Sequence, residues 1–222
     1  HDQSSAASDV YKRQRENKIV TQMGNQGASN SGMTKVQEWF NDGKIGTVDE
    51  VFVWTNRPVW PQGIPVPKPT GSSSPDHLDW DLWLGTAPSI PYSDAYHPFN
   101  WRGWWAYGTG ALGDMGCHII DVPFKTLGLH YPTAVECSVG QVFINMWDPE
   151  YIPEGCPPSS SVTLDFSATE KNNSPLKMRW LDGGLRPPHP DLIPANDSLG
   201  TPNSGNGVMM IGSKGIITTG VY

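Results

Sequence analysis

The chain has 222 residues, enough to bury a core as one domain or two small ones. Hydrophobic residues make up 37% and charged residues 17%, which excludes a disordered polymer. A formal charge of -7 argues against nucleic acid as a partner, because phosphate binding needs a basic face. No apolar run approaches the ~20 residues that span a bilayer, so no membrane partner is expected. Three scattered cysteines, Cys117, Cys137 and Cys156, with no CxxC spacing, exclude a disulfide framework and a cysteine-rich zinc site. Ten tryptophans beside 21 prolines and 24 glycines predict long structured loops lined with rings, the kind of surface that holds small ligands.

Residues 1–16 are small, polar and without a periodic pattern, and SSAASDVYKRQ resembles translated adapter sequence, so this stretch is expected to be a non-native leader. Lys18–Met23 reads as a short buried strand followed by the loop Gly24-Asn25-Gln26-Gly27. Ser31 is placed to cap a helix running to about Asn41, with Met33, Val36, Trp39 and Phe40 on one face and Gly43 ending it. Val48, Val51, Val53 and Trp54 mark a strand that closes at Asn56-Arg57-Pro58. From 58 to 112 no long periodic element is visible. A Pro/Trp/Gly-rich excursion of that length in a compact domain points to function.

A helix is expected from about Gly113 to Leu127, interrupted near Pro123 and stopped by Gly128. Strands follow at about 133–146, 160–167 and 175–182. A hairpin over 207–219 turns at Gly212-Ser213-Lys214-Gly215. Asp182-Gly183-Gly184 reads as a turn. The fold class expected is α/β (an α+β domain): an open, mostly antiparallel sheet with helices on one face.

The segment Gly108–Asp121 carries the chemistry. Its literal GxGxxG (Gly108, Gly110, Gly113) does not follow an apolar strand, so a dinucleotide loop is rejected; these glycines let the backbone pass close to a ligand or another element. Asp114 and His118 lie four residues apart on one helix face. A carboxylate beside an imidazole orients it and favours the imidazolium, as a base accepting an alcohol proton requires. Asp121 offers a further partner for His118. The spacing alone fits a surface ion pair or a helix cap beside a buried histidine at least as well; a metal site of Asp114, His118 and Asp121 is a weaker alternative, because nothing else nearby supplies a clear ligand set, and no metal is assigned.

GDMGCHIID resembles the D-x-x-x-H motif of the Gfo/Idh/MocA oxidoreductase family, and the resemblance runs through most of the chain. TQMGNQG at 21–27, TNRPVWPQG at 55–63, LDWDLWLG at 78–85 and YHPFNWRGWWAYGTGALGDMGCHIID at 96–121 are similar to successive signatures of one bacterial subgroup. WLDGG at 180–184 and GVMMIGSKG at 207–215 continue the order.

The resemblance implies residues 17–30 as the end of an NAD(P)-binding Rossmann domain and residues 31–222 as a C-terminal substrate domain, truncated at its own C-terminus. Asp114 and His118 then match the family's catalytic pair. His118 exchanges the hydroxyl proton, Asp114 orients it, and NAD or NADP carries the hydride. Asn25 and Gln26 are candidates to approach the cofactor. Arg57, Trp60, Tyr96, His97, Asn100, Trp101 and Arg102 are candidates to bind a sugar or polyol, their rings interleaved with donors and acceptors. The family's glycine loop and its Glu-Lys-Pro motif, which supplies a catalytic lysine, lie upstream of residue 17 in relatives and are missing from this sequence. The expected activity of the intact protein is oxidation of a secondary hydroxyl of a sugar, polyol or glycoside. The alternatives are an NAD-recycling glycosidase and a non-catalytic carbohydrate-binding module. A homo-oligomer formed through the C-terminal sheet is a further implication, and localisation is undetermined.

Overall fold

The structure, a computed structural model, describes residues 2–22, 24–69, 71–200 and 205–220. Helix α1 (Asp2–Asn17) occupies the stretch read as patternless leader. Its last two turns carry Lys12–Glu16 and Arg13–Glu16 ion pairs, and residues 10–13 and 15–17 stay exposed. In this half of the helix, helix-forming residues and neighbouring charges of opposite sign favour a solvated helix.

No strand forms over 18–22, and Met23 lies outside the described residues. Val20 is 96% exposed. A strand needs a partner for its backbone donors and acceptors, and among the described residues none pairs with this segment. A 3₁₀ turn over Gln26–Ser29 leads into α2 (Ser31–Asn41), whose cap is Asn30 rather than Ser31. The Asn30 Oδ1 accepts from Gly32 N at 2.8 Å. Met33, Val36 and Phe40 are buried, but Trp39 points outward at 44% exposure.

The central strand is β1 (Val48–Trp54). After the long excursion, with only the one-turn helix α3 (Trp80–Leu84) and a 3₁₀ turn at Asn100–Gly103, come α4 (Gly110–Ile119) and α5 (Asp121–Leu127). The break falls at Ile120, three residues before Pro123. A proline ring crowds the carbonyl of the preceding turn and has no N–H to donate, so the interruption lies upstream of it. Gly128 closes α5 in the left-handed conformation (φ 63°, ψ 41°).

The stretch read as one strand over 133–146 is two. β2 (Ala134–Val139) stays with the main sheet. After Gly140-Gln141, β3 (Val142–Asn145) turns away to pair with β4 (Asp148–Glu150). Then follow β5 (Ser160–Phe166), β6 (Leu176–Leu181), β7 (Gly207–Gly212) and β8 (Gly215–Thr219).

The six-stranded sheet runs β2-β5-β6-β1-β7-β8. All its pairs are antiparallel except β1 with β6, where Glu50 lies opposite Lys177 and Trp54 opposite Leu181. A parallel pair requires a long crossover, and the ring-rich excursion with α4 and α5 supplies it. Alternation decides the faces. Val51, Val53, Met178, Trp180, Val208, Met210 and Ile217 point toward α2, α4 and α5 and form the main core. On the outer face, Arg179 ion-pairs with Glu50 and lies over Phe52, and Lys177 pairs with Asp165 at 3.0 Å.

The β1 entry is held by Asn172, 2% exposed, which accepts from Val48 N (2.9 Å) and donates to Val48 O and Ser174 O (both 2.8 Å). The core therefore fixes α4 on one face of the sheet, with its first turn toward the excursion.

Candidate functional site

The excursion is built on its own aromatic core. Trp80, Leu84, Tyr96 and Trp104 are buried, with Trp83, Trp101 and Tyr107 packed around them. Each buried polar edge finds an acceptor where it can: Trp80 Nε1 donates to Ile90 O at 2.8 Å and Trp104 Nε1 to Ile64 O at 3.2 Å. Tyr96 is fully buried, and desolvation first, with the neighbouring Tyr107 second, pushes its hydroxyl up to about 12. Tyr96, a candidate for substrate binding from the sequence, is thus placed inside the aromatic core of the loop.

Upon this core sits Arg102. Its Nε donates to Asp114 Oδ1 at 2.7 Å and its Nη1 to Phe99 O at 3.0 Å. The guanidinium carbon lies 4.5 Å from the Trp101 ring centre, 4.6 Å from that of Phe99 and 5.7 Å from that of Trp60. A planar cation stacked among rings and forked between a carboxylate and a carbonyl is held in one orientation. Asp114, read from spacing as the partner of His118, thus has its carboxylate engaged by an arginine from the loop. Arg102 and Asp114 form the charged floor of an open cleft of about 420 Å³, walled by Trp101, Trp105, Tyr107 and Thr109.

The glycines are explained by close approach of protein to protein. A Cβ on Gly108 would stand 2.6 Å from the Arg102 Cα, and one on Gly113 would stand 1.6 Å from Thr109 Oγ1. The GxGxxG follows a 3₁₀ turn and loop, so among the described residues no strand–glycine loop–helix cradle for a dinucleotide pyrophosphate exists.

Of the other sequence candidates, Trp60 joins the Arg102 cage, its Nε1 bonded to Gln62 Oε1 at 2.9 Å. Trp101 lines the cleft. His97 packs edge-on against Trp83, with ring centres 6.1 Å apart. Asn100 is half-buried in the 3₁₀ turn. Arg57 faces elsewhere: its guanidinium bonds Asn56 and its carbonyl accepts from Gly183 N at 2.7 Å. His118 is half-buried one helical turn beyond Asp114. Asn25 reaches the same part of α4, donating from Nδ2 to Cys117 O at 3.0 Å, and its Oδ1 is buried without a hydrogen-bond partner. Gln26 is exposed.

Asp121, considered as a partner for His118, pairs with Lys125 at 3.1 Å. Among the described residues no group of three or more His, Cys, Asp or Glu is arranged to hold a metal.

One buried acid escaped the sequence reading. Asp182, read as a turn residue, is 2% exposed and accepts from Ser160 N, Ser160 Oγ (2.6 Å) and Trp180 Nε1 (2.8 Å). Burial raises its pKa, and these three hydrogen bonds pull against that rise. The signal was absent because Ser160 is 22 residues away.

The chain is thus an α/β domain whose loop-built, ring-walled cleft opens over the first turn of a sheet-packed helix. Residues 52–141 match the family model described as the oxidoreductase family, C-terminal alpha/beta domain, of the Gfo/Idh/MocA type. That match makes this part of the chain similar to the C-terminal domain of Gfo/Idh/MocA-type oxidoreductases.

No curated protein matches the chain. Among solved structures it is similar to a super-repressor mutant of Gal80p from Saccharomyces cerevisiae (13% identity, 96% of this chain and 43% of that one, TM-score 0.46). It is also similar to an NAD binding oxidoreductase from Klebsiella pneumoniae (16%, 96% and 43%, TM-score 0.47). A levoglucosan dehydrogenase in complex with NADH and L-sorbose is similar at 12% identity over 87% of this chain and 38% of that one, TM-score 0.42. The chain spans less than half the length of each.

Proposed function

We propose that this chain is the substrate side of an NAD(P)-dependent oxidoreductase that acts on a secondary hydroxyl of a sugar, polyol or glycoside. The observation that carries the reading is the Arg102–Asp114 pair at the floor of a cleft walled by tryptophan and tyrosine, on the helix that bears His118. Flat rings beside fixed donors and acceptors suit a polyhydroxylated ring. The cofactor, when bound, supplies the hydride acceptor or donor.

The chain's own residues do the rest. His118 takes or returns the hydroxyl proton, Asp114 is oriented by Arg102, and the rings of Trp101 and Trp60 pack against the guanidinium. The described residues offer no glycine loop between a strand and a helix that would fit a dinucleotide pyrophosphate. Asn25 and Gln26 are proposed for the nicotinamide end, Asn25 by its unpartnered buried Oδ1 beside α4. Association of two copies through the outer face of the sheet belongs to the same proposal and is tested by sedimentation.

The decisive experiment measures net NAD(P) reduction by the whole protein with a panel of sugars and polyols. His118→Ala is expected to lower the rate by about 10²–10⁴-fold with sugar affinity retained. Turnover of a glycoside without net reduction would establish a hydrolase that recycles its cofactor. Unchanged function in His118→Ala would establish a binding module instead.

A further inference from the structure

The cleft over Arg102 and Asp114 does not end at Trp101 and Tyr107. Those two residues and Ala106 also line a second open compartment of about 590 Å³, bounded further by Trp83, Thr86 and Pro88. The two differ in chemistry. The charges Arg102 and Asp114 belong to the first alone; the second is lined by rings, aliphatic groups and the two hydroxyl-bearing residues Thr86 and Tyr107, with no charged side chain. Such a lining suits a neutral ligand with C–H faces and hydroxyls.

The second compartment is built to keep its shape. Trp83 stacks on the buried Trp80 with ring centres 4.6 Å apart and an interplanar angle of 8°, and Trp80 is anchored by its bond to Ile90 O. Tyr107 leans on both Trp83 (5.8 Å) and the fully buried Tyr96 (5.1 Å). The platform is therefore preorganised, and a ligand that uses it loses little by ordering it. Each compartment alone falls in the range of an ordinary small-molecule site, so the pair exceeds the needs of one sugar ring.

We propose that the second compartment is a subsite for a second sugar ring, so that the substrate class is a disaccharide, oligosaccharide or glycoside rather than a free monosaccharide. This rests on the sugar reading of the first cleft and extends it. The ring undergoing reaction sits over Arg102 and Asp114, and the neighbouring ring lies against Trp83 and Tyr107 with Thr86 as a hydroxyl partner.

The test compares cellobiose and maltose with glucose, and lactose with galactose, by calorimetric binding and by KM on the whole protein. A disaccharide is expected to bind about tenfold more tightly than its monosaccharide, and Trp83→Ala to remove that advantage. Because Trp83 also packs on Trp80, Thr86→Trp provides a second variant. Thr86 is exposed, so an indole there fills the compartment without disturbing the core, and it is expected to weaken disaccharides about tenfold relative to the monosaccharide reference. Equal affinities for one and two rings, or an equal effect of Thr86→Trp on both, would overturn the subsite and leave the first-cleft reading standing. Binding of no sugar of either length would overturn both.

Discussion

Arg102 Nε donates to Asp114 Oδ1 at 2.7 Å, and this bond joins the ring-rich loop to the helix that bears His118. The acid of the D-x-x-x-H spacing is thereby tied to a cation twelve residues upstream. Neither group is fully buried, with 23% and 26% of the side chains exposed, so the pair's worth lies in orientation more than in stability. Replacing Arg102 by Lys keeps the charge but loses the fork and the stacking on Trp101 and Phe99. The expected result is a fall of about 10–100-fold in kcat/KM of the whole protein, with a nearly unchanged urea midpoint. A large loss of stability with the activity of the remaining folded protein unchanged would reduce Arg102 to a structural residue.

Gly108 lies against the backbone of Arg102, so Gly108→Ala tests the same geometry from the other side. The new methyl meets main chain, which cannot rotate away, and Arg102 must move. A destabilisation of about 1–3 kcal/mol is expected, together with loss of activity as severe as that of the Arg102 variant. Denaturation curves and steady-state rates on the same preparation check both.

Asp182 makes stability depend on pH in a definite direction. Burial raises its folded pKa above the usual 3.8, so the folded state holds the proton more tightly than the unfolded one. Stability from this group is fully present below the unfolded pKa and is lost as pH climbs through the folded value. Wild type is therefore expected to lose stability relative to Asp182→Asn as pH rises out of the ordinary carboxylate range, measured as the difference in urea midpoints. A difference that is flat with pH would show that the carboxylate's three hydrogen bonds cancel the cost of its burial.

The three thiols should separate by reactivity. Cys117 and Cys137 are exposed, whereas Cys156 is 1% exposed and burial pushes its thiol up to about 11. At neutral pH iodoacetamide is expected to add to the first two and to reach Cys156 only after unfolding. Peptide mass mapping reads this directly, and native labelling of Cys156 would mean that the Gly103–Cys156 contact opens.

Asn172→Ala should destabilise by about 2–3 kcal/mol, since it leaves the amide and carbonyl of Val48 buried without their partners. Calorimetric unfolding checks the size. A change below about 0.5 kcal/mol would mean that the entry to β1 finds other partners.

The sequence by itself determined the strands and helices whose signal is local. Alternation marked β5, the capped amphipathic pattern marked α2, and Gly212-Ser213-Lys214-Gly215 marked the hairpin, because each depends on residues within a few positions of one another. Spacing likewise put Asp114 and His118 on one helix. Local pattern misled where pairing decides: residues 18–22 have strand composition but no neighbouring strand, and the run through 133–146 divides because β3 finds β4 instead of the main sheet. Only the tertiary structure decided the parallel β1–β6 pair, the burial of Tyr96, the acceptor role of Asp182 toward Ser160 and Trp180, and the engagement of Asp114 by Arg102. Most of these depend on which distant segments the core brings together, and Arg102 meets Asp114 only because the loop between them folds back over α4. No periodicity along the chain encodes such a meeting.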